Sequence, residues 1–574
     1  MKRSPSSKKV RAGRTVSSRR ANCEFAPGEL SRLSGLFSLC AALLLLPLLT
    51  MCQRASVPTQ FAEGDSIPAI YPDYVDVTVP VNIAPLTFEW DGNGCDDMVT
   101  LFSAGDEQVV CGGLKAQPSM DEWHALTAAA LGADAAPARN AITVDVYTQN
   151  ADRWTHHKPF SIYVSTDSID PWMSYRLIAP SYVTYEELTL NQRCLENYDE
   201  RVMVDNMLCG LDKTGQCVNC HNYQQYDPKR MQFHARQHQG GTVIVYNGTV
   251  KKVNMKNDSI ISAGVYPAWH PWLPLIVYST NHTGQSFHTR DLNKIEVFDS
   301  ASDLIVYNVE TDEVSNVEND PNEFEVFPAW APDGRTLYYC SAHFERQDTG
   351  SVDVEVIRRA KEIHYALYRK SFDPETRKFG PREQVFPTGS GVYTTELSDV
   401  SSDDSSKVTQ PSTLNSQLST ASEALTPQQS VTLPRVSPDG RFLMFTMGRY
   451  GVFHIWHREA DLYLLDLTTG EVRAMDEINS DDTESYHSWS SNGRWVVFSS
   501  RRDDGGFTRP FIAHIDEQGR GAKPFELPQR DPDYHRQFMK SYNIPELMRG
   551  PVEITPQEFA DVLKGSDGVP VKFR

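Results

Sequence analysis

Hydrophobic positions along the chain recur mostly with a period of two, the alternation that sets one face of a strand in a core and the other in water. Residues 74–81 show it, with Val75, Val77 and Val79 on one side and Asp76, Thr78 and Pro80 on the other. Short runs of the same kind follow at 86–90, 98–102, 141–147 and 160–164, and a helical piece opened by Ser119 fits at 120–131. The spacing predicts an antiparallel β-sandwich over residues 67–180, with Trp90, Trp123 and Trp154 in its core. From 181 to 238 the texture changes. Glu186, Glu187, Arg193, Glu196 and Glu200 interleave with Leu188, Leu190, Leu195 and Tyr198, which predicts a helix and a short helical module.

Beyond Gly240 a unit repeats. Val265-Tyr266-Pro267-Ala268-Trp269-His270-Pro271 lines up with Val326-Phe327-Pro328-Ala329-Trp330-Ala331-Pro332-Asp333-Gly334-Arg335. Leu433-Pro434-Arg435-Val436-Ser437-Pro438-Asp439-Gly440-Arg441 is a third copy, and Tyr486-His487-Ser488-Trp489-Ser490-Ser491-Asn492-Gly493-Arg494 a fourth. Asp-Gly or Asn-Gly supplies the positive φ of a tight hairpin turn, and an alternating apolar strand follows each copy. A second hairpin, such as 461–467 turning at Thr468-Thr469-Gly470, completes a four-stranded unit. The copies resemble the repeats of the TolB propeller family. That resemblance implies a C-terminal TolB-type β-propeller over 239–545, with 546–574 as a tail. The copies are spaced 61, 106 and 53 residues apart. The long gap holds residues 398–430, rich in Ser, Thr, Gln and Asp, which read as a disordered insert. At roughly 40–45 residues per blade the remainder gives about six blades.

Charge places the chain. Its 574 residues carry a net −20, yet the segment before Cys52 holds nine basic residues against two acidic, so the remainder carries −27. Such an acidic body is repelled by phosphate backbones, which excludes nucleic acid as a partner. The basic segment precedes residues 33–51, a run of 19 without a charge. Basic followed by apolar is the order of an export signal. The run ends Leu49-Thr50-Met51-Cys52, similar to a lipobox in which Cys52 is lipidated, although Met51 stands where a small residue belongs. An uncleaved membrane anchor is the alternative, since 19 apolar residues can just span a bilayer. Either way residues 1–52 hold the protein at a membrane of the cell envelope, with its body outside the cytoplasm.

Outside the cytoplasm disulfides persist, so Cys95 with Cys111 and Cys194 with Cys209 are possible local bridges. Cys217-Val218-Asn219-Cys220-His221 is a CxxCH sequence. Two thiols one helical turn apart can each add across a haem vinyl group, and the adjacent histidine then faces the iron. The expected cofactor is therefore haem c, held by Cys217, Cys220 and His221. A disulfide between the two cysteines is one alternative. Zinc bound by Cys209, Cys217, Cys220 and His221 is another. Met231-Gln232-Phe233-His234-Ala235-Arg236 ahead of Gly240-Gly241-Thr242 is similar to a motif of propeller lipoproteins of Gram-negative bacteria that carry a c-type haem signature. The resemblance makes His234 and Met231 the candidates for a sixth iron ligand.

No Ser-His-Asp set, phosphate loop or carboxylate pair stands in a convincing context, so the chain reads as a non-enzyme. Were it one, a haem-dependent oxidoreductase would fit. The expected function is electron transfer or redox sensing by a membrane-anchored haem protein, with the propeller as docking platform for envelope redox or scaffold proteins. The alternative is a TolB-like protein-binding scaffold in which the CxxCH motif is secondary.

Overall fold

The computed structural model describes residues 55–132, 140–179, 188–210, 216–347, 349–386, 429–565 and 567–574. Residues Ser56–Arg574 form one compact unit. It is mainly β. Cys52, the apolar run at 33–51 and nearly all of the 398–430 insert lie outside the described residues. Among the described residues no helix is long and apolar enough to cross a membrane.

At the front a seven-stranded sheet faces a three-stranded one. Helix Met120–Ala130 starts at Ser119, whose hydroxyl and the Glu122 carboxylate close a reciprocal capping box. Tyr74, Val77, Phe88, Phe102, Trp123, Ile142, Val144 and Ile162 fill the core, and the Trp123 indole donates to the Ile83 carbonyl at 3.1 Å. The same cluster continues into Trp495, Val497, Ile512, Tyr542 and Leu547 far along the chain, so this front layer packs directly on the later sheets.

Those later strands fall into propeller-like antiparallel groups of four. Val265–Trp269, Leu275–Phe287, Ile295–Asn308 and Glu313–Glu318 form one group. Glu323–Trp330, Thr336–His343, Ala366–Asp373 and Lys378–Phe386 form the next. These two are joined by a single parallel bridge, Ser302 to Phe324. Two further groups begin at Ser430–Val436 and Glu484–Trp489. Each begins with one of the four repeats recognised in the sequence.

Two more groups arise where helix was expected. Val218–Gln224, Asp227–Ala235, Gly241–Tyr246 and Thr249–Asn254 make one sheet, which carries the CxxCH residues. Trp172–Ile178, Thr189–Cys194 and Glu200–Asp205 make the other, completed by Ser541–Met548 from near the C-terminus. Among the described residues, the helical module expected over 181–238 is therefore corrected to strands, with one α-helical turn at Asn206–Cys209 and a 3-10 turn at Gln237–Gln239. Of the polar residues that suggested a solvated helix face, Arg193 is buried, Glu196 and Glu200 are exposed, and Glu186 and Glu187 lie outside the described residues. Asn191 donates to Glu200 at 2.6 Å, Gln192 to the Val552 carbonyl at 2.9 Å and Arg193 to Gln529 at 2.8 Å.

The first strands of the six groups share one irregularity. Cys220, Tyr266, Phe327, Leu433, Tyr486 and Ile544 all have φ between 47° and 56°, and the pairing register shifts at each. The next residue is Pro267, Pro328, Pro434 or Pro545, or else His221 or His487. Proline lacks an N–H and is tolerated where the ladder is already broken by a bulge. Each first strand neighbours the next, and Val218–Gln224 and Glu484–Trp489 both neighbour Ser541–Met548, so the circuit closes.

The segment after Met548 is also built in. Helix Pro556–Gly565 buries Phe559, Ala560 and Leu563 beside Cys209, Val218 and Phe233. Val569–Pro570 and Lys572–Phe573 add parallel edge strands to two sheets.

Candidate functional site

The CxxCH residues lie at the axis. Cys217 precedes the first strand of its sheet, and Cys220 and His221 occupy the bulge within it, all three buried. The carbonyl of Cys220 accepts from the Gln232 side chain, and burial raises the Cys220 thiol above its ordinary range. His221 lies beside the Ser174 and Ile544 backbone and Arg176, and burial holds its imidazole neutral, down to about 3. Neither ring nitrogen makes a hydrogen bond of normal geometry.

The expected sixth ligands do not converge on His221. Successive side chains of a strand point to opposite faces, so Met231 and His234 of Asp227–Ala235 part company. Met231 packs with Met203, Phe233 and Phe559. His234 instead bonds Thr242 through Nδ1 at 3.1 Å, and burial takes it to about 3. Cys209 sits in the apolar cluster of Phe559 and Leu563. Among the described residues no three His, Cys, Asp or Glu side chains are grouped so as to hold a metal ion.

The seven described cysteines are unbridged, which corrects the two local pairs. Cys111 stands opposite Thr100 in its ladder, five residues along from Cys95. Cys194 ends a strand opposite Trp172, and Cys209 closes a separate helical turn.

The space at the bulges is small. A cavity of about 40 Å³ touches Cys220, His221, Tyr266, Phe327, Leu433, Tyr486 and Ile544. Ligands of haem size fill pockets of roughly 300–1,000 Å³. A haem held by Cys217, Cys220 and His221 would need more room than this cavity gives. Tyr266 and Phe327 meet edge to face at 4.7 Å, and Phe453 joins both at 6.0 and 6.2 Å, closing this end of the channel.

The other end is open, and here sequence reasoning missed the functional candidates. A cavity of about 140 Å³ is bordered by Asn222, Ala268, Ala329, Arg435, Ser488 and Glu546. These are one position in six copies, two residues beyond each bulge. Arg435 pairs with Glu546 at 2.7 Å, Asn222 donates to the same carboxylate at 3.2 Å and Ser488 to its other oxygen at 3.3 Å. Four of the six ring positions are thus a connected polar cluster, and the two alanines leave a gap beside it. Writing all six copies in register would have exposed these four departures from alanine.

No family model matches the chain, and no curated protein matches it. Among solved structures it is similar to TolB from Acinetobacter baumannii, 12% identical with a TM-score of 0.38, over 75% of this chain and 85% of that one. Hydrazine synthase of Kuenenia stuttgartiensis is 10% identical with a TM-score of 0.36, over 68% and 48%. The tricorn protease is 14% identical with a TM-score of 0.31, over 67% and 34%. The chain thus spans less than half of the latter two, and likenesses of this size carry no argument about function.

Proposed function

We propose that the chain is an exported, membrane-tethered, six-bladed propeller of the TolB type that serves as a binding platform in the cell envelope, with recognition at the open end of its channel. The observation that carries the reading is the uneven channel wall, where Asn222, Arg435, Ser488 and Glu546 form a bonded cluster beside the gap left by Ala268 and Ala329. A pocket with few convergent polar groups on a rigid scaffold is the usual form of a recognition site. Six copies of one bulge, in first strands that follow one another around a closed circuit, support the blade count. The basic and apolar leader ending at Cys52 supports the tether. Ala329→Leu fills the gap without touching a charge. It should abolish complexes isolated with the tagged protein from its membrane while leaving the melting temperature within a few degrees. Complexes retained at full yield would sink the reading.

A second reading is electron transfer or redox sensing through one haem c. Cys217 and Cys220 are unbridged and His221 has no side-chain partner and is held neutral by burial, which is the chemistry that attachment and iron ligation use. It demands that the inner strand part from its neighbours around the group. Protein from an export-competent host with haem-maturation machinery, read by pyridine haemochrome spectrum and intact mass, tests it. One added haem, weakened by Cys217→Ala, supports this reading, and a mass without haem ends it.

A further inference from the structure

The geometry points to a carboxylate as the group that the channel binds: one acid group on an extended ligand, entering the open end and pairing with Arg435. The inference rests on the channel being the recognition site and names the chemistry it selects.

Hydrogen-bond capacity decides the sign of the ligand. Glu546 already receives Arg435 and Asn222 on one oxygen and Ser488 on the other, and it is buried. It has little left to offer a cation. Arg435 is in the opposite position. A guanidinium carries five N–H donors, of which among the described residues one, on Nη2, is used, bonding Glu546 at 2.7 Å, and its side chain is 34% exposed at the channel. The carbonyl of the same residue accepts from the Trp489 indole at 3.1 Å, which fixes the backbone beneath it. Planar donors in a fork match a carboxylate in two parallel bonds.

A second observation comes from below. His221 also borders the channel, is 1% exposed, and lies beside the Ser174 and Ile544 backbone without a side-chain partner. Arg435, Asn222 and Glu546 border the upper and lower cavities alike, so one ligand acid can reach the guanidinium while its far oxygen faces the imidazole N–H. The volumes, about 140 and 40 Å³, admit one side chain or a small acid and exclude a helix or a nucleic-acid strand. The body's net negative charge does not draw in polyanions. Selection therefore falls to Arg435.

The test uses the full chain in detergent, titrated with acetate, succinate, an extended Gly-Gly-Asp-Gly-Gly peptide blocked at both ends, and its Asn counterpart. Calorimetry reports binding, and tryptophan fluorescence from Trp269, Trp330 and Trp489 at the channel gives a second signal. The Asp peptide should bind at least tenfold tighter than the Asn peptide. Arg435→Gln should erase that difference. Glu546→Gln, which frees the guanidinium, should preserve or tighten binding, and this keeps the test decisive if Arg435→Gln fails to fold. Saturable binding of the small acids points to a free carboxylate, and binding of the peptide alone points to an acidic side chain on a partner. Equal binding of Asp and Asn peptides, or an Arg435→Gln protein that still separates them, overturns the inference. Should Ala329→Leu abolish partner complexes while no carboxylate binds, the platform reading stands and this inference falls.

Discussion

Closure of the fold depends on a strand that arrives some 360 residues after its partner, and one side chain on it gives a sharp test. Tyr542 lies on Ser541–Met548, pairs with Leu177 and is fully buried. Its ring lies 4.8 Å from that of Tyr175, and its hydroxyl meets His535 Nε2 at 3.2 Å. Tyr542→Ala removes the ring and leaves a cavity, which for large aromatic side chains costs about 3–5 kcal/mol. Tyr542→Phe removes only the hydroxyl contact, worth about 1 kcal/mol. His535 keeps Gln529 at 2.9 Å, so the second change strands no buried donor. Stabilities of folded units lie at about 5–15 kcal/mol, so the first change takes a large share. With an unfolding slope of about 3 kcal/mol per molar urea, the midpoint should fall by roughly 1–1.5 M for the alanine variant and roughly 0.3 M for the phenylalanine. Urea unfolding followed by tryptophan fluorescence measures both. If Ser541–Met548 did not close onto Trp172–Ile178, the ring would be exposed and its loss would cost at most about 0.5 kcal/mol. An alanine variant within 0.2 M (roughly the noise of such curves) of the parent, or a phenylalanine variant that falls as far, refutes the closure.

Two pH-dependent effects and one cap follow from the same structure. Burial pushes Glu325 up to about 9 against an ordinary 4.5, so folding takes up a proton at neutral pH and stability is lost as pH rises above 4.5. Glu325→Gln should therefore raise the urea midpoint at pH 7, by on the order of 2 kcal/mol, and the gain should vanish near pH 4.5. Burial opposes charge on His457, but bonds to Glu296 and Glu459 outweigh it and hold the imidazole up at about 9. Its contribution is full below pH 6.5 and lost as pH rises through 9, so the deficit of His457→Gln should shrink over that window in parallel urea titrations. Ser119→Ala breaks the capping box and should cost about 1 kcal/mol by thermal melting.

The four later repeats were legible because each keeps most of a set of Pro, Trp and Asp-Gly or Asn-Gly at fixed offsets, the first lacking the Gly turn, the third the Trp and the fourth the Pro. The other two were hidden for distinct reasons. Cys220-His221-Asn222-Tyr223 is followed by a turn at Gln225 and Tyr226, both at positive φ without a glycine to mark it. Ile544-Pro545-Glu546-Leu547 is separated from the rest of its sheet by the length of the circuit. Arg193 looked solvated because nothing local shows that Gln529 and the Pro528 carbonyl receive it. The CxxCH motif falls on a first strand, with Cys220 and His221 at its bulge. The charged pair at the open end passed unseen because Arg435 and Glu546 lie 111 residues apart in the chain.

A photoreactive residue placed on either face of the protein in its native membrane tests the central claim most directly. Gln225 is exposed at the open end, and Leu292, 64% exposed, stands near the far end of the Leu275–Phe287 hairpin, roughly 40 Å along the strand. Irradiation followed by mass spectrometry should give discrete adducts from position 225 that disappear in the Ala329→Leu background. Adducts from position 292 alone, unchanged by Ala329→Leu, would contradict recognition at the channel.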